Sequence, residues 1–432
     1  MSGTFFFRSI GLGLEDIAIA NELYQSHMKS NRVEVQKSFC LFQRNNKPGD
    51  GNIPPTYIRE GAMAAVTDTL KLFLCGDVMT ARGIDAVLPH PGDPRLYEAY
   101  VKNAGDYVRL AERVNGSIPR PVDFTYVWGA ALDEFELRQP HARIINLETA
   151  VSRRGRPEPK GINYRMSPEN FPVISAAGID CCVLANNHVL DWGVAGLADT
   201  LETLASNGMC SAGAGHNRQS AEAPAVLLLP GGRRLLVFGL GAPDSGIASD
   251  WAATDKRAGV ARLEDLSMQS LRPVAKRILE GKKPRDLVVA SIHWGGNWGF
   301  DIPREQVRFA HALIDEAGVD VVHGHSSHHV KGIEVYREHL ILYGCGDLLN
   351  DYEGIEGYTA FRGDLGLLYF ASLDPGGHLQ SLDLIPTRLR RFRLCRAEGD
   401  DRQWLHGTLS RECARLGSSI QPGAKNAFEL RW

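Results

Sequence analysis

From residue 70 onward, short apolar runs end abruptly in polar residues. KLFLCGD closes on Asp77, HARIINLETAV carries Asn146 and Glu148 at its end, and AAGIDCCVLANNH closes on Asn186, Asn187 and His188. Apolar runs of this length, bounded by polar residues, predict buried strands. DLVVASIHWGG and VDVVHGHSSHH repeat the pattern, and KGIEVYR, HLILYGCGD and LGLLYFASLDPGGHLQSLDLIPTRL add further strands. AVLLLPGGRRLLVFGLG predicts a hairpin turning at Pro230, Gly231 and Gly232. Elsewhere the apolar positions recur at helical spacing. GVAGLADTLETLASNG predicts a helix stopped by Gly208, and PREQVRFAHALIDEAG one with Pro303 in its first turn. LEDLSMQSLRPVAKRILEGKKP predicts a third, with Pro273 as a kink site, and DRQWLHGTLSRECARLG a last one.

Strands and helices alternate, yet several late strands follow one another through tight turns. That mixture predicts a layered α/β protein with mixed sheets. Residues 1–68 read as an N-terminal extension and linker, with a helix in LEDIAIANELYQSHMKS and a loop in NNKPGDGNIPPTYIREG. Residues 69–397 form the main domain, and 398–432 a helical tail packed on it.

Charge narrows the partners. The net charge of -3 across 432 residues favours neither nucleic acid nor an anionic membrane. PTRLRRFRLCR concentrates Arg388, Arg390, Arg391, Arg393 and Arg396, but no stacking aromatics accompany them, so it reads as a protected edge strand. The eight cysteines are scattered, form no CxxC pair and read as buried thiols. No apolar run reaches the length of a membrane span, and the first residues lack a basic signal-peptide start. A cytoplasmic location is the default expectation.

The polar strand ends carry the chemistry. GDVM, NLE, NNH, HWGGNWG, HGHSSHH and GCGD all follow apolar runs, and ligands of open α/β proteins gather beyond the carboxyl ends of strands. HGHSSHH alone holds His323, His325, His328 and His329. Pooled, Asp77, Glu148, Asn187, His293, His325 and His328 offer carboxylate, amide and imidazole ligands for one or two divalent ions such as Mn, Fe or Zn. Two neighbouring ions need a shared carboxylate, a role open to Glu148. Taken singly, each cluster also has an ordinary role: a turn cap at Asp77, a satisfied loop carboxylate at Glu148, a core histidine at His293. Lys160 and Arg165, in KGINYRMSPE, suit recognition of a phosphate or polycarboxylate, or form a solvated loop. Trp294 walls the pocket or packs in the core. Asp347 supports a histidine or touches substrate.

These stretches carry a family likeness. LFLCGDVM, INLETAVS, LANNHVLDWG, SIHWGGNWG, GHSSHHVKGIE and LILYGCGDLL, in this order from about residue 70 to 395, resemble the CapA family of poly-gamma-glutamate capsule synthesis proteins, which is related to the calcineurin-like metallophosphoesterases. The resemblance implies a four-layer α/β/β/α sandwich with two mixed sheets. It implies that Asp77, Glu148 and His328 hold one metal, and Glu148, Asn187, His293 and His325 the other. His188 then stays off the metals as general acid. Asp191, close behind it, either orients His188 or caps the helix that begins near Trp192. Met79 departs from the phosphoesterase pattern, which has histidine at that position. The implied activity is a hydrolase using a metal-bound hydroxide on a phosphoester or a gamma-glutamyl-type polymer. The alternative is a non-catalytic accessory component of capsule biosynthesis.

Overall fold

The computed structural model describes residues 69–355 and 357–432. The N-terminal extension and its expected helix lie outside the described residues. The main strands are β1 (Leu70–Val78), β2 (Ala142–Leu147), β3 (Cys181–Val183), β4 (Cys210–Ala212), β5 (Ala225–Leu229), β6 (Arg233–Gly241), β7 (Leu287–His293), β8 (Val321–His325), β9 (Ile333–Tyr336), β10 (His339–Leu342), β11 (Asp347–Leu349), β12 (Leu365–Leu373), β13 (Leu379–Arg390), β14 (Arg393–Arg396), β15 (Ser419–Pro422) and β16 (Phe428–Arg431). They build a mixed α/β architecture around two large sheets. One runs β15-β16-β13-β12-β1-β2-β3-β4, with β11 on β1 and β14 on β13. The other runs β9-β10-β8-β7-β6-β5.

Strand alternation decides what each face meets. Leu70, Leu72 and Leu74 of β1 share one apolar cluster with Leu235 and Val237 of β6, Val289 of β7 and Val321 of β8, so residues of both sheets pack together. Phe73 and Cys75, one step out of phase, join a second cluster with helical residues such as Val108, Phe135 and Leu197. Val288, Ala290 and Ile292 of β7 join a third with Leu271, Ile278, Phe309 and Leu313. Each 25 Å² of apolar surface removed from water in these clusters stabilises by about 0.6 kcal/mol.

The expected helices form at Gly193–Ser206, Met268–Gly281, Arg304–Ala317 and Gly399–Ala414. Met268–Gly281 starts later than the apolar spacing predicts, because Ser267 caps it by accepting from the Ser270 N–H, and it continues through Pro273. The tail adds more than a helix. β15 and β16 extend the large sheet, and Leu405, Leu409 and Cys413 enter the cluster that spans both sheets. The arginine-rich hairpin β13–β14 is tied down: Arg388 pairs with Asp401 at 2.8 Å and Arg396 with Glu134. No helix among the described residues is long and apolar enough to cross a membrane.

One backbone feature positions the site. The register of β1 against β2 shifts between Leu74 and Asp77, and β11 pairs in parallel so that Asp77 lies opposite Asp347. Gly76 passes so close to β11 that an added Cβ would stand 1.6 Å from the Gly346 carbonyl oxygen. Gly76→Ala is therefore expected to cost about 3 kcal/mol or more, at or beyond the upper end of overpacking. Gly281→Ala, where a Cβ meets nothing, is expected to be neutral or stabilising by up to about 1 kcal/mol. Denaturant unfolding of both variants checks this; equal midpoints contradict it.

Candidate metal centre

Five strand ends converge on one buried cluster. Asp77, on β1, is fully buried and held from two sides: Asn146 Nδ2 donates to its Oδ1 at 2.7 Å, and the Ser326 N–H donates to its Oδ2 at 3.2 Å. Asn186 extends the support. Its Nδ2 donates to Asn146 Oδ1 and to the Leu147 carbonyl, while its Oδ1 accepts from the His188 and Val189 N–H groups. The NLE and NNH stretches thus lock each other and aim Asp77.

β7 and β8 pair in parallel with His293 opposite His325. Both rings are buried, and their Nδ1 atoms approach to 2.8 Å. His325 Nδ1 lies 3.7 Å from Asp77 Oδ1, and His293 Nε2 lies 3.2 Å from Asn187 Oδ1. Asp77, His293 and His325 form one group able to grip a cation; Asp77, His328 and Asp347 form another. His328 Nδ1 donates to Asp347 Oδ1 at 2.8 Å, and Asn350 Nδ2 steadies Asp347 Oδ2 at 2.9 Å. The carboxylate shared by the two groups is Asp77. Glu148, expected to be the shared carboxylate, lies against Asp77, with Oε1 3.7 Å from His188 Nε2.

A dyad borders the cluster. His188 Nδ1 donates to Asp191 Oδ2 at 2.6 Å, and the same oxygen accepts from the Tyr164 N–H. Lys160 Nζ donates to Asp191 Oδ1 at 2.7 Å and stands 3.4 Å from His188 Nδ1. Lys160 thus belongs to the dyad's support. Arg165 lies elsewhere: its guanidinium stacks 3.5 Å above the Trp192 ring, in a cavity also lined by Arg82 and Asn163. Trp294 is buried and donates its Nε1–H to the Tyr343 carbonyl at 2.9 Å.

Burial dominates the electrostatics. Desolvation and the Asp347 charge push Asp77 up to about 7, and desolvation with the Asp77 charge raises Glu148. Burial lowers His293 and His325, and lowers His188 to about 4 against the pull of Asp191. Burial also pulls on His328, but Asp347 outweighs it and the value rises. The residues fit a divalent cation. Among the described residues, Glu148 Oε2 is buried with no hydrogen-bond partner, and three carboxylates crowd together with no lysine or arginine paired to any of them at ion-pair distance. A positive charge placed there removes both penalties.

Residues 71–352 match the model described as bacterial capsule synthesis protein PGA_cap. The chain belongs to this capsule synthesis family. It is 45% identical over 371 residues to a probable polyglutamine synthesis accessory protein of Mycobacterium tuberculosis, covering 85% of this chain and 97% of the relative. It is 24% identical over 327 residues to the capsule biosynthesis protein CapA of Bacillus anthracis, covering 75% and 68% of the two chains. It is 27% identical over 295 residues to the PGA biosynthesis protein CapA of Bacillus subtilis, covering 68% and 66%. The solved structure of the calcineurin-like phosphoesterase YfkN of Bacillus subtilis overlays 76% of this chain and 88% of its own at 11% identity and a TM-score of 0.30, too loose a match to bear on the site.

Met79 is buried, and its sulfur accepts from the Tyr352 hydroxyl at 3.4 Å. Sequence reasoning missed the network around it. Arg82, also buried, donates to both oxygens of Asp351 and to Glu98, and lies over the Tyr107 and Tyr164 rings. A lone arginine after GDVMTA gives no sign that its partners lie 16 and 269 residues away.

The buried groups predict a pH dependence for the metal-free protein. His188, His323 and His329 sit near 4 and His293 and His325 lie well below their ordinary value, against about 6.5 unfolded. Such depressed values give stability that is present above 6.5 and lost as pH falls through the folded values. Asp77 opposes this. Held at about 7 against 3.8, it gives stability that is present below 3.8 and lost as pH rises through 7; Glu148 acts in the same direction. His328, which Asp347 holds above its ordinary value, acts in that direction too. Five lowered imidazoles outnumber these three opposing groups, so together they make the protein less stable at pH 5 than at pH 7. Asp77→Asn removes part of the opposing effect and widens the gap. Denaturant midpoints at the two pH values check both; a higher midpoint at pH 5 contradicts the account.

Proposed function

We propose that this protein is a metal-dependent hydrolase that cleaves a phosphoester or a gamma-glutamyl-type linkage, on a helix–sheet–sheet–helix framework of metallophosphoesterase type. The observation that supports it is the convergence of Asp77, Glu148, His293, His325, His328 and Asp347 beside the His188–Asp191 dyad. Asp77, His293 and His325 are the residues to hold one ion and Asp77, His328 and Asp347 a second, with Glu148 and Asn187 at hand. A bound divalent ion supplies electrophilic polarisation of the scissile bond and acidification of a water.

The chain's own residues do the rest. Asp191 occupies His188 Nδ1, so proton exchange takes place at Nε2, which faces Glu148. Burial keeps His188 neutral at pH 7 in the free chain. An anionic substrate beside it favours the protonated ring, and Nε2 then delivers that proton to the leaving atom. Lys160 fixes Asp191 and adds a positive charge for an anionic substrate.

One observation favours a second reading, a non-catalytic accessory component of poly-gamma-glutamate capsule biosynthesis. Met79 stands where phosphoesterases carry a histidine, and its buried contact with Tyr352 leaves that side of the cluster without an imidazole. The Mycobacterium tuberculosis relative is itself named an accessory protein.

Manganese-loaded protein assayed on a generic phosphodiester and on gamma-glutamyl oligomers tests the hydrolase. His188→Ala is expected to lower turnover about 100- to 10,000-fold while metal content is kept. Glu148→Ala is expected to lower both. Equal rates in wild type and both variants overturn the catalytic proposal. Bound metal without turnover of either substrate supports the accessory reading.

A further inference from the structure

A chain of hydrogen bonds runs from the backbone of β1 to His325. The Cys75 carbonyl, at the register shift of β1, lies 2.7 Å from His323 Nε2. His323 Nδ1 lies 3.0 Å from Ser291 Oγ, and Ser291 Oγ lies 3.0 Å from His325 Nε2. All three side chains are fully buried. Alternation explains their company. Ser291 and His293 on β7, and His323 and His325 on β8, share the phase of Val289 and Val321, which face the other sheet.

One acceptor-only atom settles every proton in this chain. A carbonyl oxygen cannot donate, so His323 Nε2 carries a hydrogen. In the neutral ring Nδ1 is then an acceptor, and the Ser291 hydroxyl must donate to it. That hydroxyl has one proton, so towards His325 it can only accept. His325 Nε2 therefore carries the hydrogen, and His325 Nδ1 is left with its lone pair. That nitrogen is the one 3.7 Å from Asp77 and 2.8 Å from His293 Nδ1.

We propose that Ser291 and His323 are positioning residues: anchored on the Cys75 carbonyl, they fix the His325 tautomer so that Nδ1 is bare and faces Asp77, ready to bind a divalent cation. This rests on the metal-centre reading for its purpose, but not for the proton assignment, which stands in the metal-free chain. Neither residue reaches the ion or the substrate. They act through the ring between them, as outer hydrogen-bond partners of metal-binding histidines do, where their loss lowers metal affinity about 10- to 100-fold.

The test uses the full chain labelled with ¹⁵N-histidine, first metal-free and then titrated with zinc. Wild type is expected to show His325 protonated at Nε2. His323→Phe removes the acceptor for the serine proton. Ser291 then turns its hydrogen to His325 Nε2, and the ring is expected to switch to the Nδ1–H form, with zinc affinity about 10- to 100-fold weaker. His323→Gln keeps one donor for Cys75 and one acceptor for Ser291, and is expected to restore both the tautomer and the affinity. Ser291→Ala is expected to weaken zinc binding similarly, with Ser291→Thr as its rescue. Circular dichroism confirms that each variant is folded. A wild-type His325 protonated at Nδ1, or an unchanged tautomer in folded His323→Phe, overturns the proposal. If wild type shows the expected tautomer and binds no zinc, the metal purpose falls and the relay keeps only a structural role, which also overturns the proposal as stated.

Discussion

The cost of burying carboxylates beside imidazoles, away from water, governs the rest of this structure. Asp77 has no exposed surface, Glu148 and Asp347 are nearly as enclosed, and His293, His325 and His328 close in on them. Each ion moved out of water costs several kcal/mol even after relaxation. A chain can escape the cost by protonating its acids or by admitting a cation. The hydrogen bonds favour the second course, because Asp77 accepts from both Asn146 and the Ser326 N–H, an arrangement that suits a carboxylate. Glu148 keeps one buried oxygen without a hydrogen-bond partner among the described residues. A cation brings these otherwise costly features into one favourable arrangement.

The fold provides the rigidity this needs. The side chains at stake sit on or just past strands whose other residues are packed in apolar clusters, so ring positions follow from strand register. Where regular pairing would misplace Asp77, the β1 register shifts, and Gly76 lets β11 come close enough to set Asp347 opposite it. Outer residues finish the task. Asn186 holds Asn146, Asn350 holds Asp347, and Asp191 holds His188.

Much of this was legible in the residues alone. Apolar runs ending in Asp77, Asn146, Asn187, His293 and His325 announce strands with polar ends, and the alternation of strands and helices announces a mixed α/β fold. The cluster followed because ligand residues recur at those ends. Other features depend on pairing that no local pattern reveals. Asp77 rather than Glu148 is shared between the two ligand groups because β11 pairs with β1, and that register is invisible before folding. Lys160 and Arg165 come from one loop with similar chemistry, yet one reaches the dyad and the other stacks on Trp192. Trp294 looked equally fit for pocket or core, and its buried hydrogen bond to Tyr343 places it inside. Of the tail strands, β16 escaped because its partner in the large sheet, β13, is more than thirty residues away along the chain, and β15 joins that sheet only through β16.

Membership of the capsule synthesis family and a buried acid–imidazole cluster are compatible with either catalysis or an accessory role, and the proposed hydrolase stands on a cation in that cluster. Anomalous diffraction from crystals grown with manganese addresses that most directly. The account predicts an anomalous peak among Asp77, His293 and His325, in direct contact with His325 Nδ1. A well-ordered centre with no peak, its carboxyls and imidazoles bonded only to one another, would contradict it.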